Sequence, residues 1–132
     1  MANIKRLKQL RRVVDAAPDD RLHMRSFCEQ AECGTAYCAA GWAAIDPWFR
    51  KNTGISNLFA VSKLGIVMPL HQCDDGTLGE LFGLSDVDAY HLFAFGQNER
   101  IGPHDITKPE VVANIDRLIA GQNAVKYQAM TS

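Results

Sequence analysis

The residues with the most chemistry to offer lie in the stretch CEQAECGTAYCAAGWAA, positions 28 to 44, where Cys28, Cys33 and Cys38 recur at five-residue steps. Thiolates at this density can hold a metal ion. Zinc sites usually carry two cysteines two to four residues apart, so that one tight turn presents both sulfurs to a tetrahedral ion. Steps of five on a continuous helix rotate by about 140° and send the side chains apart. A break at Gly34 brings Cys28 and Cys33 back within reach, with His23, His71 or Cys73 to complete the shell. His71 and Cys73 are alternate residues, and alternate residues of a strand share a face. A zinc-binding domain on the Cys28/Cys33/Cys38 cluster is therefore one reading. The competing one is that free cysteine is a habitually buried, small apolar filler.

A second chemistry is nucleophilic. A cysteine in the first turn of a helix feels the positive end of the dipole, which favours its thiolate. Cys38 stands three residues after Thr35, a candidate N-cap. The run CGTAYC with Trp42 beyond it is a faint echo of the papain-type signature, with two residues inserted and the tryptophan displaced. A catalytic cysteine also needs a histidine to take its proton, and His71, His91 and His104 are available. A cysteine-dependent hydrolase built on Cys38 is thus a second alternative. Packed among alanines, Cys38 is expected to be buried and inert.

Other chemistries have less to stand on. Asp86 and Asp88 fall in the first turn of an expected helix, where the dipole favours carboxylates without any catalytic role. His91 lies one turn beyond Asp88, in reach of a surface ion pair. No glycine-rich phosphate loop is present, so no cofactor is expected. Lys5, Arg6, Lys8, Arg11 and Arg12 crowd the first helix, but such a run on an amphipathic helix is more often its solvated face. The acidic residues Asp74, Asp75, Glu80, Asp86 and Asp88 further along argue against a polyanion partner.

These residues must be positioned by elements that are mostly helical. Ile4, Leu7, Leu10, Val13 and Val14 recur at helical spacing behind the cap Asn3, and Pro18 ends the helix. PDDR is a turn, and LHMRSF a short element with Leu22, Met24 and Phe27 inward. Thr35 caps a helix over AYCAAGWAAI, whose alanines and Gly41 let a neighbour approach closely, with Trp42 its one large anchor. PWFRKN is a helical turn with proline first. LGIVMPL is the most strand-like stretch, confined by Pro69 to an edge or strand end. TLGELFGLS ends at Gly83, and SDVDAYHLFAFG opens on Ser85 with Asp88 and buries Leu92, Phe93 and Phe95. The final helix opens on a Thr107/Glu110 capping box, carries the stripe Val111, Ile115, Leu118 and Ile119, and stops at Gly121.

The chain as a whole sets bounds on all of this. Its 132 residues, 47% hydrophobic and 22% charged, suit one globular domain with a core of its own. The expected organisation is a mainly α-helical domain of about five helices over residues 1–121, with room for one short β-hairpin. A loosely held tail over 122–132 would follow it. Net charge is −1, which gives no general pull on polyanions. No apolar run reaches the ~20 residues that span a bilayer. The N-terminus lacks the uninterrupted apolar block of a secretory signal. The expectation is a cytoplasmic protein with reduced cysteines and no membrane partner.

With LHM, CGTAYCAAGWA, ELFGLSDVDAYHLF and ITKPEVVANIDRLI in view, the chain resembles a group of small proteins from bacteria and their phages. Their pattern runs C-G-T-x-x-C-x-x-G-W/H-A, then F-G-L-[ST] with L-F shortly after, and a final helix opened by a threonine-proline cap. Met24, Cys33, Gly34, Thr35, Cys38, Gly41, Trp42, Ala43, Phe82, Gly83, Leu84, Leu92 and Phe93 match it. Cys28 and Cys73 fall outside the pattern, which counts against a four-ligand zinc site. The resemblance transfers no activity. It implies a cytoplasmic accessory protein of a phage or mobile element that acts by binding a host or phage protein, with self-association an open option. Within it, Cys33 and Cys38 are expected to meet across the turn before the small-residue helix, under Trp42, as a packing pair or a disulfide formed only on oxidation.

Overall fold

The computed structural model describes residues 2–18, 28–31, 34–55, 59–61, 67–69, 75–93, 106–125 and 127. Six helices and two short antiparallel hairpins make up these residues, so the fold is mainly α-helical. The first helix, α1 (Ile4–Ala16), starts where expected: the Asn3 side chain accepts a hydrogen bond from the Arg6 amide at 3.1 Å. Its buried stripe is Leu7, Leu10 and Val14, with Val13 half-buried and Ile4 at the surface. Ala17 is the last cap, one residue before Pro18.

The cysteine-rich stretch folds differently from the expectation. β1 (Cys28–Ala31) pairs with β2 (Gly34–Tyr37), with Cys28 opposite Tyr37 and Ala31 opposite Gly34. Only then does α2 (Ala39–Ile45) begin, so its N-cap is Cys38 and not Thr35. Thr35, β-branched and followed by Ala36 and Tyr37, is extended ladder backbone opposite Gln30. The helix α3 (Pro47–Asn52) follows after one shared residue. Asp46 closes α2 and caps α3, its carboxylate accepting from the Phe49 amide at 3.1 Å, with Pro47 in the first turn as expected.

The strand expected near Pro69 is present as β4 (Val67–Pro69), paired with β3 (Phe59–Val61). Next come α4 (Asp75–Phe82) and α5 (Asp86–Phe93). Gly83 adopts φ +67° and closes α4 with two hydrogen bonds. Its own amide donates to the Glu80 carbonyl at 3.3 Å, and the Leu84 amide to the Gly79 carbonyl at 2.7 Å. The Ser85 hydroxyl then caps α5 by accepting from the Asp88 amide at 3.1 Å. In α6 (Lys108–Ile119) the Glu110 carboxylate accepts from both the Thr107 amide and hydroxyl, at 3.0 and 2.9 Å. Gly121, at φ +83°, stops it by the same closure as Gly83.

The core lies where α1 packs on both α2 and α6, and where α4 packs on α5. α2 is enclosed further by β2, β3 and β4. That enclosure explains its composition: Ala39, Ala40, Gly41, Ala43 and Ala44 are all buried, because a helix with neighbours on most sides has no room for long side chains. The large residues sit elsewhere. Phe49, Phe82 and Phe93 are fully buried and form a chain of ring contacts from α3 through α4 to α5, with centroids 5.8 and 5.7 Å apart, and Trp48 meets Phe49 edge-on at 5.2 Å. The Trp48–Phe49 turn and the Leu92–Phe93 segment therefore belong to the core and its rim. Phe95 and Gly96 lie outside the described residues, as do Leu22, Met24 and Phe27.

The C-terminal residues differ from the loose tail expected after Gly121. Ala124 is buried, residues 123–125 are held by side chains of α5 and α6, and the Tyr127 hydroxyl reaches the backbone of α5. No described helix is long and apolar enough to cross a membrane.

Candidate functional site

The residues of the CGTxxCxxGW element fall into three structural settings. Gly34 and Thr35 lie in β2, Cys38 caps α2, and Gly41 and Trp42 belong to α2. Cys33 lies outside the described residues. Cys38 is 1% exposed, and its Sγ accepts a hydrogen bond from the Gly41 amide at 3.5 Å, while its carbonyl accepts from the Trp42 amide at 2.9 Å. A thiol has taken the place usually held by serine, threonine or aspartate. The reason is the setting: a site enclosed by alanines favours sulfur, a poorly hydrated atom, over an oxygen that would have to be desolvated.

This geometry bears on each chemistry considered for the cysteines. The Cys28–Tyr37 pair and the Ala31–Gly34 pair stand three ladder steps apart, about 10 Å. The pairing brings Cys28 and Cys38 to one end of the hairpin. The residues between positions 33 and 38, Gly34–Tyr37, are strand, and the expected Cys33–Cys38 pairing lies outside the described residues. Among the described residues no group of three or more His, Cys, Asp or Glu side chains is gathered closely enough to hold a metal ion.

For nucleophilic chemistry, Cys38 is closed to a substrate by its burial. His91 is the one histidine among the described residues, and it lies on α5 with Nδ1 against the Ala124 carbonyl at 3.3 Å. His23, His71, His104 and Cys73 lie outside the described residues. Asp88 and His91 do not form a surface pair for acid–base work. Both serve the chain terminus, the Asp88 carboxylate accepting from the Ala124 amide at 3.1 Å.

Trp42 is more open than the single large anchor expected from the sequence. It is half-buried and opens onto a cleft of about 240 Å³ between the C-terminal end of α1 and the α2–α3 corner. Val13, Ala16 and Ala17 line it from the end of α1, and Ile45, Asp46 and Pro47 from the α2–α3 corner. The Asp46 carboxylate is occupied by the Phe49 amide and by Gln9 Nε2 at 3.3 Å. What remains is an open, predominantly apolar depression with an indole in it.

The basic residues of α1 divide into two sets. Arg6 donates to the Leu81 carbonyl at 2.7 Å, near the C-terminal end of α4, and Arg11 binds Asp116 of α6 at 2.6 Å. The hydrogen bond to Asp116, with its charge, raises the Arg11 guanidinium further above its ordinary value. Lys5, Lys8 and Arg12 point to solvent.

The residues that reasoning from sequence missed are those that hold the C-terminus. The buried Asn114 side chain donates to the Val125 carbonyl and accepts from the Val125 amide, both at 2.8 Å, pairing with the backbone as a neighbouring strand would. Arg117 Nε donates to the Asn123 carbonyl at 2.9 Å, and the Tyr127 hydroxyl donates to the Leu92 carbonyl at 2.9 Å. Burial raises the Tyr127 phenol well above its usual range; Asn114 opposes that shift and the Glu110 charge adds to it. A polar Asn in the apolar stripe of α6 was the available signal. No protein-family model, no curated protein and no solved structure matches this chain.

Proposed function

We propose that this protein is a small non-enzymatic binding domain that works through protein–protein contact, with the Trp42 cleft as its contact surface. The observation that carries this reading is the contrast between the two notable residues of the cysteine element. Cys38, the group able to do chemistry, is 1% exposed and caps a helix, whereas Trp42 is left half-open in an apolar cleft. Tryptophan is among the residue types that dominate interface energetics. The resemblance carried by Cys33 to Ala43 supports a cytoplasmic role as an accessory protein of bacteria or phages, acting on a host or phage protein. A second copy of the chain is another occupant such a surface can take.

The experiment is site-specific photocrosslinking in the native host cell from Ala16, an exposed residue on the cleft wall, with Val87 on the exposed face of α5 as control. The reading expects one reproducible crosslinked polypeptide from Ala16 that the control position does not give. No crosslinked polypeptide above the control would overturn it.

A further inference from the structure

The Trp42 cleft carries a charge pattern that its apolar lining does not need. Lys5, Lys8 and Arg12 stand three and four residues apart on α1, and Ala16 of the cleft wall is four residues further, so the three cations run as one exposed stripe to the lip. On the opposite wall Arg50 and Lys51 follow Pro47 by three and four residues on α3, and they too are exposed. None of these five cations is in an ion pair with a described carboxylate. The carboxylate of the cleft, Asp46, is turned to the Phe49 amide and Gln9. Asp15, also exposed, follows Arg12 by three residues on α1 and so adjoins the stripe; its backbone carbonyl accepts from Lys108.

An apolar cleft flanked on both sides by cations is complementary to an apolar side chain flanked by carboxylates. We propose that the cleft takes an acidic amphipathic segment of a protein partner, which lays one apolar side chain against Trp42 and sets its carboxylates toward the cations of α1 and α3. This deepens the protein–protein reading and rests on it. A phosphate backbone would meet the same cations but leave Val13 and Ile45 in water.

The test is isothermal titration of the full-length protein with two synthetic helix-forming peptides and one single-stranded oligonucleotide. One peptide carries a leucine on each turn between glutamates; the other has lysine in place of every glutamate. The acidic peptide is expected to bind about tenfold or more tightly than the basic one, and to weaken as salt is raised. Replacing Lys5, Lys8 and Arg12 together by glutamate should abolish the preference, and Ala16→Glu, an exposed change, should weaken the acidic peptide while the circular dichroism stays unchanged. Equal binding of both peptides, or of neither, overturns the charge assignment, and a crosslink from Ala16 would then still leave the contact reading standing. Oligonucleotide binding in preference to the acidic peptide overturns it as well, by making the cations a nucleic-acid surface. Because the two peptides are compared on the unaltered protein, the decision does not depend on any variant folding.

Discussion

A titratable side chain can be read at the residue scale from what surrounds it, and Tyr127 shows this best. Its hydroxyl donates to the Leu92 carbonyl, and burial holds the phenol proton more tightly in the folded protein than in the unfolded chain, whose phenol titrates near 10.0. A folded-state value raised in this way stabilises fully below the unfolded value and is lost as pH rises through and beyond it. Urea unfolding at pH 8 and pH 11 should therefore show a fall in stability that Tyr127→Phe reduces. At pH 8 the same variant should cost about 1 kcal/mol for the lost hydrogen bond. An unchanged alkaline loss in the variant would mean that Tyr127 is not the group responsible. None of this was visible in the sequence, because a tyrosine near a C-terminus has no periodic context. The burial of Cys38 was visible from its alanine neighbours. Its role as a cap was not, because sulfur seldom serves as one.

At the scale of elements, legibility followed the strength of the terminal signals. α1, α3 and α6 were readable because Asn3, Asp46–Pro47 and the Thr107/Glu110 box fix their starts. Gly83 and Gly121 were readable as stops because the left-handed backbone they adopt excludes most side chains. The hairpin of β1 and β2 was not, since Thr35 suits a helix cap and a strand equally and the pairing that decides between them is with a segment earlier in the chain. The two kinds of glycine give a prediction. Gly121→Ala meets open space and suffers only from its positive φ, which should cost about 1 kcal/mol. Gly79→Ala adds a Cβ 3.0 Å from the Leu84 carbonyl oxygen and 3.3 Å from the Ala89 Cβ, so it must push α5 from α4. Thermal melts should show Gly79→Ala as the more damaging of the two, despite the better helix propensity of alanine. The reverse order would mean that the α4–α5 contact yields freely.

The arrangement of elements within the whole molecule was the least legible level. The amphipathic stripes of α1 and α6 predicted a helical core, but nothing local announced that α2 would be enclosed by α1 and two hairpins, or that residues 123–125 and Tyr127 would bind back across α5 and α6. Those last contacts close the fold, since Asn114 is buried and its amide is satisfied by Val125. Ending the chain after Gly121 strips that amide of its partners. Leaving a buried polar group unpaired costs about 1–3 kcal/mol, and the loss of the Ala124 and Tyr127 contacts adds to it. Urea denaturation should show the shortened protein destabilised by at least about 2 kcal/mol. Equal midpoints for the two forms would return the segment to the loosely held tail expected from composition alone.

The central claim is that Cys38 builds the core beside the cleft and is not a reactive or metal-bound thiol. Its most direct test is peptide-resolved alkylation of the native protein with iodoacetamide, run with and without a chelator, against the rate of global unfolding. The account predicts that Cys38 is modified no faster than the protein unfolds, and that the chelator leaves this rate unchanged. Rapid modification of Cys38 in the folded protein, or protection that disappears on chelation, would contradict it.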